Sequence, residues 1–317
     1  MRKYNVRFCE NLKKCLIGSL AFMIIGVVCL AVFGIDLDIN FKGGSRFSYS
    51  YSDTDDSKIT ADGVTETIEK ALGSKVTVTT STGVSDSSKY INITSTDNSA
   101  VSADKQAALT KALQEKFPNN NLELSDSNTV NPSIAGSFFA KSLAAVALAG
   151  ILIVVFIAIR FRYIGGLSAG VCALIALIHD VLVAFFFCVI FRLQIDANFM
   201  AVALTIFGYS INDTVVVYDR IRENKKYYPN ETMRVITNKS INQVIVRTVI
   251  TSLTTFMAIV VIAVIAELNA ITSLRTFVLP MAVGVISGCY STDCISAPLW
   301  VWWLEHKAKR PKKVKSK

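Results

Sequence analysis

The stretch "SINDTVVVYDR" (210–220) closes a long apolar run with a carboxylate, Asp213, beside an amide, Asn212, and with Tyr209 and Tyr218 on either side. A charged group inside hydrocarbon costs at least ~2.5–3.5 kcal/mol on insertion scales, so it normally faces a protein interior or a water-filled path. The chemistry open to Asp213 is therefore uptake and release of a proton or a cation. Further ionisable groups stand in apolar runs at Arg247, Asp293, His179 and Asp180. At 1.5 Å per residue, Asp213 lies about 9 Å inside the end marked by Asp219, Arg247 at a similar depth, and Asp293 about 10 Å from Trp300. His179 and Asp180 fall nearer the middle of their run. Thr205, Tyr209 and Asp213 recur every four residues with Ser210 three before Asp213, and Arg247, Thr251, Thr254 and Thr255 form a hydroxyl stripe. Such a seam suits an ion path. On the residues alone two structural readings stay open. Asp213 and Arg247 could be a buried ion pair that only holds helices together, and His179-Asp180 could be a satisfied polar pair. Asp293 reads either way.

Other chemistries find little support. Seven cysteines occur, none in the long polar block described below, and neither a disulfide framework nor zinc-ligand spacing emerges. Both histidines stand alone, and no G-x-x-x-x-G-K-[ST] phosphate loop is present, so ATP hydrolysis within this chain is not expected. The expectation is a protein that is not an enzyme and holds neither metal nor cofactor.

The elements that position these groups are set by hydropathy. With 52% hydrophobic residues and a mean hydropathy of +0.44 the chain is too apolar for a soluble globule. Six runs reach the roughly 20 residues needed to cross about 30 Å of hydrocarbon: 16–34, 138–159, 165–190, 197–218, 244–266 and 277–303. The first is read as an uncleaved anchor (transmembrane helix 16–35), because no A-x-A cleavage pattern follows it. The other five form a transmembrane block over 138–303. Lys and Arg concentrate in the N-terminus (1–15), in the loops after the second and fourth runs, and in the tail 304–317. Both termini are thus expected in the cytoplasm. The net charge of +9 is read as this topology signal and as attraction to anionic membrane lipids, not as a nucleic-acid footprint.

The polar block 36–134 has more acids than bases and is expected outside the membrane as an α+β domain. Alternation marks strands at 46–52, 75–80, 89–95 and 121–127, with "STGVSDSS" (81–88) as a turn; helical spacing marks 61–72 and 102–117. The order β-α-β-β-α-β is ferredoxin-like. "FKGGS" (41–45) joins the first span to this block, with Gly43 and Gly44 as a tight turn or a hinge. The basic stretch 219–243 is expected to form one amphipathic helix on the cytoplasmic surface. Gly284 and Gly288 give a G-x-x-x-G pattern that lets helix backbones approach.

These motifs carry a resemblance. "TIFGYSINDTVVVYDRIREN" (205–224), "SINQVIVRTVITSLTT" (240–255) and "IALIHDVLV" (175–183) resemble the fourth-, fifth- and third-span motifs of the SecF family, and the loop-and-six-span layout extends the likeness over nearly the whole chain. That family comprises auxiliary membrane subunits of the bacterial Sec export machinery, related to the resistance-nodulation-division transporters. The resemblance implies residence in the cytoplasmic (inner) membrane, pairing with SecD, contact with the SecY/SecE/SecG channel and YajC, and unfolded preprotein as cargo. It implies use of the proton or sodium gradient, with Asp213 and Arg247 in the coupling positions and Asn212, Tyr209 and Thr251 around them. One departure is visible: "DINFKGG" (38–44) has Asn40 where the family commonly has an acid, so no charge-dependent role is expected there. The rival readings are half of a small-molecule or lipid exporter of the same superfamily, and a membrane scaffold whose polar seam only glues helices.

Overall fold

The computed structural model describes residues 6–52, 61–73, 76–82, 89–95, 101, 103–268 and 272–309. The turn at 83–88 and the basic tail beyond 309 lie outside these residues. The first apolar run forms helix α1 (Phe8–Phe33), which ends at Gly34 in a positive-φ conformation (φ 71°) with its N–H bonded to the Leu30 carbonyl. A single helical turn, α2 (Ile39–Lys42), leads into the polar block.

That block follows the expected order: β1 (Gly44–Tyr51), α3 (Ala61–Leu72), β2 (Val76–Thr82), β3 (Lys89–Ser95), α4 (Ala103–Lys116) and β4 (Glu123–Val130). The sheet order is β2-β3-β1-β4 with every neighbour antiparallel. Period-two alternation sends Phe47, Tyr49, Tyr51, Ile91 and Ile93 to one face, where they meet Val64, Ile68 and Leu72 of α3 and Leu109 and Leu113 of α4. This is a core of its own. Tyr49 is fully buried, its hydroxyl lies 2.9 Å from Thr110 Oγ1, and burial pushes its phenol above the usual pKa. The last strand starts two residues later than alternation suggests, because Asn121 adopts a left-handed conformation after the 3-10 turn Pro118–Asn120.

The remainder is helical: α5 (Pro132–Arg160), α6 (Gly166–Ile190), α7 (Ala197–Tyr227), α8 (Met233–Leu268), α9 (Thr272–Ser291), a π-helical turn Thr292–Ser296, and α10 (Ala297–Lys309). Asn131 caps α5 by accepting from the Ser133 N–H at 2.9 Å, with Pro132 pre-set in the first turn. Among the described residues six helices are long and apolar enough to cross a membrane, the last running through the π turn.

The expectation for 219–243 fails. Instead of a separate surface helix, α7 runs on to Tyr227 and α8 starts at Met233, with Pro229 in the short break. At 31 and 36 residues they measure roughly 46 and 54 Å, well beyond the hydrocarbon thickness. Ile236, Ile241 and Val244 are apolar because they pack on Tyr218, Ile221 and Trp300, not because they meet lipid. Asn224 ties the two extensions by donating to Ser240 Oγ and Gln243 Oε1, both at 2.8 Å. The chain's start is fastened to the same extension. Asn242 accepts from Val6 N–H (2.9 Å) and donates to its carbonyl (2.8 Å), while Asn238 accepts from Cys9 N–H (3.0 Å).

At the other end, Gly43 and Gly44 have φ of 81° and 125°, as a tight turn requires. A Cβ on Gly43 would run into Pro132 at the head of α5. Beside it, the buried Asp38 accepts from Arg46 and from Asn40 (2.6 Å), and Arg46 also reaches Gln194 at 2.8 Å in the loop between α6 and α7. The backbone joins in through Asp38 N–H to Ile195 O (3.0 Å) and Ile195 N–H to Asp36 O (2.8 Å).

Candidate functional site

Small residues allow α6, α7, α8 and α9 to meet around polar groups. On α9, Gly284 faces Ile206 and Gly288 faces Ser210, positions where a Cβ would clash with or crowd α7. The G-x-x-x-G pattern thus does what the sequence suggested. It brings Ser210 within reach of Asp180 on α6, which is completely buried. Asp180 accepts from Ser210 (2.9 Å), Ser287 (2.7 Å) and Ser291 (2.7 Å), with His179 Nδ1 at 3.2 Å. Both its oxygens are engaged, by short bonds from serines of α7 and α9 and by His179 of its own helix, so Asp180 itself is satisfied. His179 Nε2 is buried and unpartnered among the described residues.

Asp213, one helical turn along from Ser210 and 3% exposed, is held differently. Among the described residues its single hydrogen-bond contact is Ser252 Oγ of α8 at 3.5 Å, and Tyr209 donates to that same hydroxyl at 3.2 Å. The π turn carries a second buried carboxylate, Asp293, 4% exposed. Thr248 Oγ1 approaches Asp293 Oδ2 at 3.4 Å, while Asp293 Oδ1 has no partner among the described residues. Thr214 and Thr292 meet at 3.1 Å and close the gap between α7 and the π turn. Two carboxylates therefore sit on neighbouring helices, each touched by one of two hydroxyls, Thr248 and Ser252, a turn apart on α8.

The structure separates the expected pair. Arg247 is exposed on the outer side of α8, has no side-chain partner among the described residues, and lines a cleft of about 790 Å³ with Asp219, Arg220, Glu223 and Lys226. Asp213 points inward. Asn212 and Thr251 are likewise exposed, and Thr251 turns its hydroxyl back onto the Arg247 and Thr248 carbonyls. Of the expected site residues, Asp213 and Tyr209 meet. Asp180 with His179 forms its own network, and Asp293 joins Asp213 through α8. The error was one of helical phase: Arg247, Thr251 and Thr254 lie about 100° from the stripe Thr248–Ser252 that faces the bundle. Ser252, Thr248, Ser287 and Ser291 were missed, although the four-residue spacing within each pair was a usable signal.

Residues 109–306 match the family model described as "Protein export membrane protein SecD/SecF, C-terminal". The chain is 32% identical over 297 residues to the protein translocase subunit SecF of Petrotoga mobilis, covering 93% of this chain and 94% of that one. It is 31% identical over 293 residues to its counterpart in Alicyclobacillus acidocaldarius, covering 92% and 90%. Among solved structures it is similar to SecDF, a translocon-associated membrane protein from Thermus thermophilus, with TM-score 0.76 and 26% identity. The match covers 95% of this chain but only 39% of that longer one. A SecDF structure in a super-membrane-facing form gives TM-score 0.66 at 25% identity, again over 39% of its length.

Proposed function

This chain belongs to the SecD/SecF family of protein-export membrane proteins, and from that membership we propose that it is a SecF-type subunit of a Sec accessory complex. It pairs with a SecD-type chain and uses the proton or sodium gradient to promote late steps of preprotein export. The likeness to SecDF chains more than twice as long supports the pairing: the remainder of such a chain is what a separate SecD would supply. The polar face left open on α7 and α8 supports it too. Thr205, Gly208, Asn212, Arg247, Thr251 and Thr254 are exposed in this chain alone, and a guanidinium within a span does not remain against lipid. A partner helix on that face shields Arg247 and closes the cleft beside it. Both termini lie in the cytoplasm, following the Lys/Arg distribution, and the sheet domain lies outside, where it meets the emerging polypeptide.

The observation that carries the coupling role is Asp213, buried in a span with one long contact and no cation beside it among the described residues. An ionised carboxylate there is poorly compensated, so it gains from taking up an ion, and a shift of α7 against α8 changes how strongly. Each elementary charge crossing the membrane supplies about 2.3 kcal/mol per 100 mV, enough to bias a two-state helix rearrangement. Replacing Asp213 by Asn keeps shape and much of the hydrogen bonding but cannot ionise. The Asp213→Asn protein is expected to insert and to copurify with its SecD-type partner, while the gradient-dependent phase of export into vesicles falls at least tenfold. Export at the parental rate would end this reading.

A further inference from the structure

We infer that Asp293 is a second ion-accepting carboxylate, and that Asp213 and Asp293, together with the Thr248 and Ser252 hydroxyls, form an oxygen cage for one dehydrated Na+ between α7, α8 and the π turn. The inference rests on the ion-coupling reading of Asp213 and names the ion for it.

Three observations lead there. The first is the contrast with Asp180. Its serine contacts of 2.7–2.9 Å are ordinary hydrogen bonds, whereas among the described residues Asp213 and Asp293 have only contacts of 3.5 and 3.4 Å. Hydroxyl–carboxylate bonds run at roughly 2.5–3.0 Å, so these two oxygen pairs are held apart. Around a hard cation with ligand distances of roughly 2.3–2.6 Å, as for Ca2+ and the similarly sized Na+, adjacent ligand oxygens lie roughly 3.3–3.7 Å apart, the edge of an octahedron. The observed separations fall in that interval. Mg2+, at roughly 2.0–2.1 Å, would draw the edge in to about 2.9 Å, and a proton shared within either pair would draw it in further.

The second is the unpartnered oxygen. Asp293 is 4% exposed, and its Oδ1 has no hydrogen-bond donor among the described residues. A carboxylate is not carried into such a place without something to bind. The nearby cation expected from sequence, Arg247, faces away.

The third is the backbone. Asp293 stands in the π turn Thr292–Ser296, and Pro298 comes two residues after the turn ends. Pro298 has no N–H to donate to the carbonyls one turn before it, which belong to this π turn. Hydroxyls, carboxylates and carbonyls are all hard donors, the set that alkali and alkaline-earth cations select.

The test uses the purified full-length chain with its SecD-type partner. Binding of radioactive Na+ is measured in choline buffer at constant ionic strength, alongside thermal unfolding in NaCl, KCl or choline chloride. Saturable Na+ binding, with a melting temperature that rises in Na+ but not in K+ or choline, is expected for the parent. A loss of affinity of at least tenfold is expected for Asp293→Asn and a smaller loss for Thr248→Val, which guards against an Asp293 variant that simply folds poorly. No saturable binding by the parent, or unchanged binding by Asp293→Asn, overturns the inference. Export into vesicles separates the two proposals. If a pH gradient alone drives the late phase without Na+ and Asp293→Asn is fully active, the Na+ cage is wrong while the coupling role of Asp213 stands. If Asp213→Asn itself exports normally, the underlying reading fails first.

Discussion

Asp180 and Asp213 are both carboxylates buried within spans, yet their neighbours give them different work. Asp180 terminates three serine hydroxyls and a histidine; truncating it would orphan all of them inside the bundle. Orphaned buried groups cost about 1–3 kcal/mol each in water-soluble proteins, and interhelical bonds in membranes average nearer 0.6 kcal/mol. Asp180→Ala should therefore destabilise the chain by roughly 2–5 kcal/mol, seen as a clearly lowered melting temperature in detergent, whereas Asp213→Asn should stay within about 1 kcal/mol of the parent. Equal destabilisation by the two variants would contradict this division. Sequence spacing singled out both residues, because a charge in an apolar run is conspicuous whatever surrounds it. The partners of Asp180 come from α7 and α9, 30 and more than 100 positions away in the chain, so the pattern around Asp180 itself held no trace of them. The Asp213–Arg247 pairing was inferred from matching depth, and depth does not fix the direction in which a side chain points around its helix.

Among the elements, α9 shows how one missing side chain sets a whole packing surface. Ile206 of α7 fills the space where a Gly284 Cβ would stand, while nothing lies within 4 Å of the Cβ position of Gly208 on α7. Gly284→Ala should therefore cost about 1–3 kcal/mol through overpacking, measured as a lowered melting temperature of the isolated chain. Gly208→Leu should leave that temperature unchanged but reduce recovery of the SecD-type partner after mild extraction, because it adds bulk to the open face of α7. Full recovery would mean that the partner seats elsewhere. The strands and helices of the sheet domain were legible, since their apolar residues follow periods of two or 3.6 against a polar background. The fusion of 219–243 into α7 and α8 was not. Its amphipathic pattern is the same whether the apolar side meets lipid or meets Trp300, and only the tertiary contacts distinguish the two. The π turn escaped notice for a related reason. Pro298 and Asp293 were visible, but a one-residue widening of a helix leaves no periodic signature over so short a stretch.

For the molecule as a whole, six crossings and the Lys/Arg distribution predict opposite sides for the sheet and the chain's ends. Single cysteines at Ser125, exposed on β4, and Lys307, exposed on α10, in a cysteine-free background, test this with a membrane-impermeant thiol reagent applied to intact spheroplasts. Label at Ser125 and none at Lys307 is expected; the reverse would invert the topology. The junction between sheet and bundle has a further consequence. Gly43 packs on Pro132, and Gly44 pairs with Val130 across adjacent strands, so the polypeptide enters the sheet domain after α2 and returns to α5 at nearly the same point. The domain is an insert with touching ends, a cassette spliced into the bundle. A different domain with equally close termini, or a short Gly/Ser bridge, can replace it without spreading the two spans, so a lineage can exchange the sheet module while leaving the helical bundle intact.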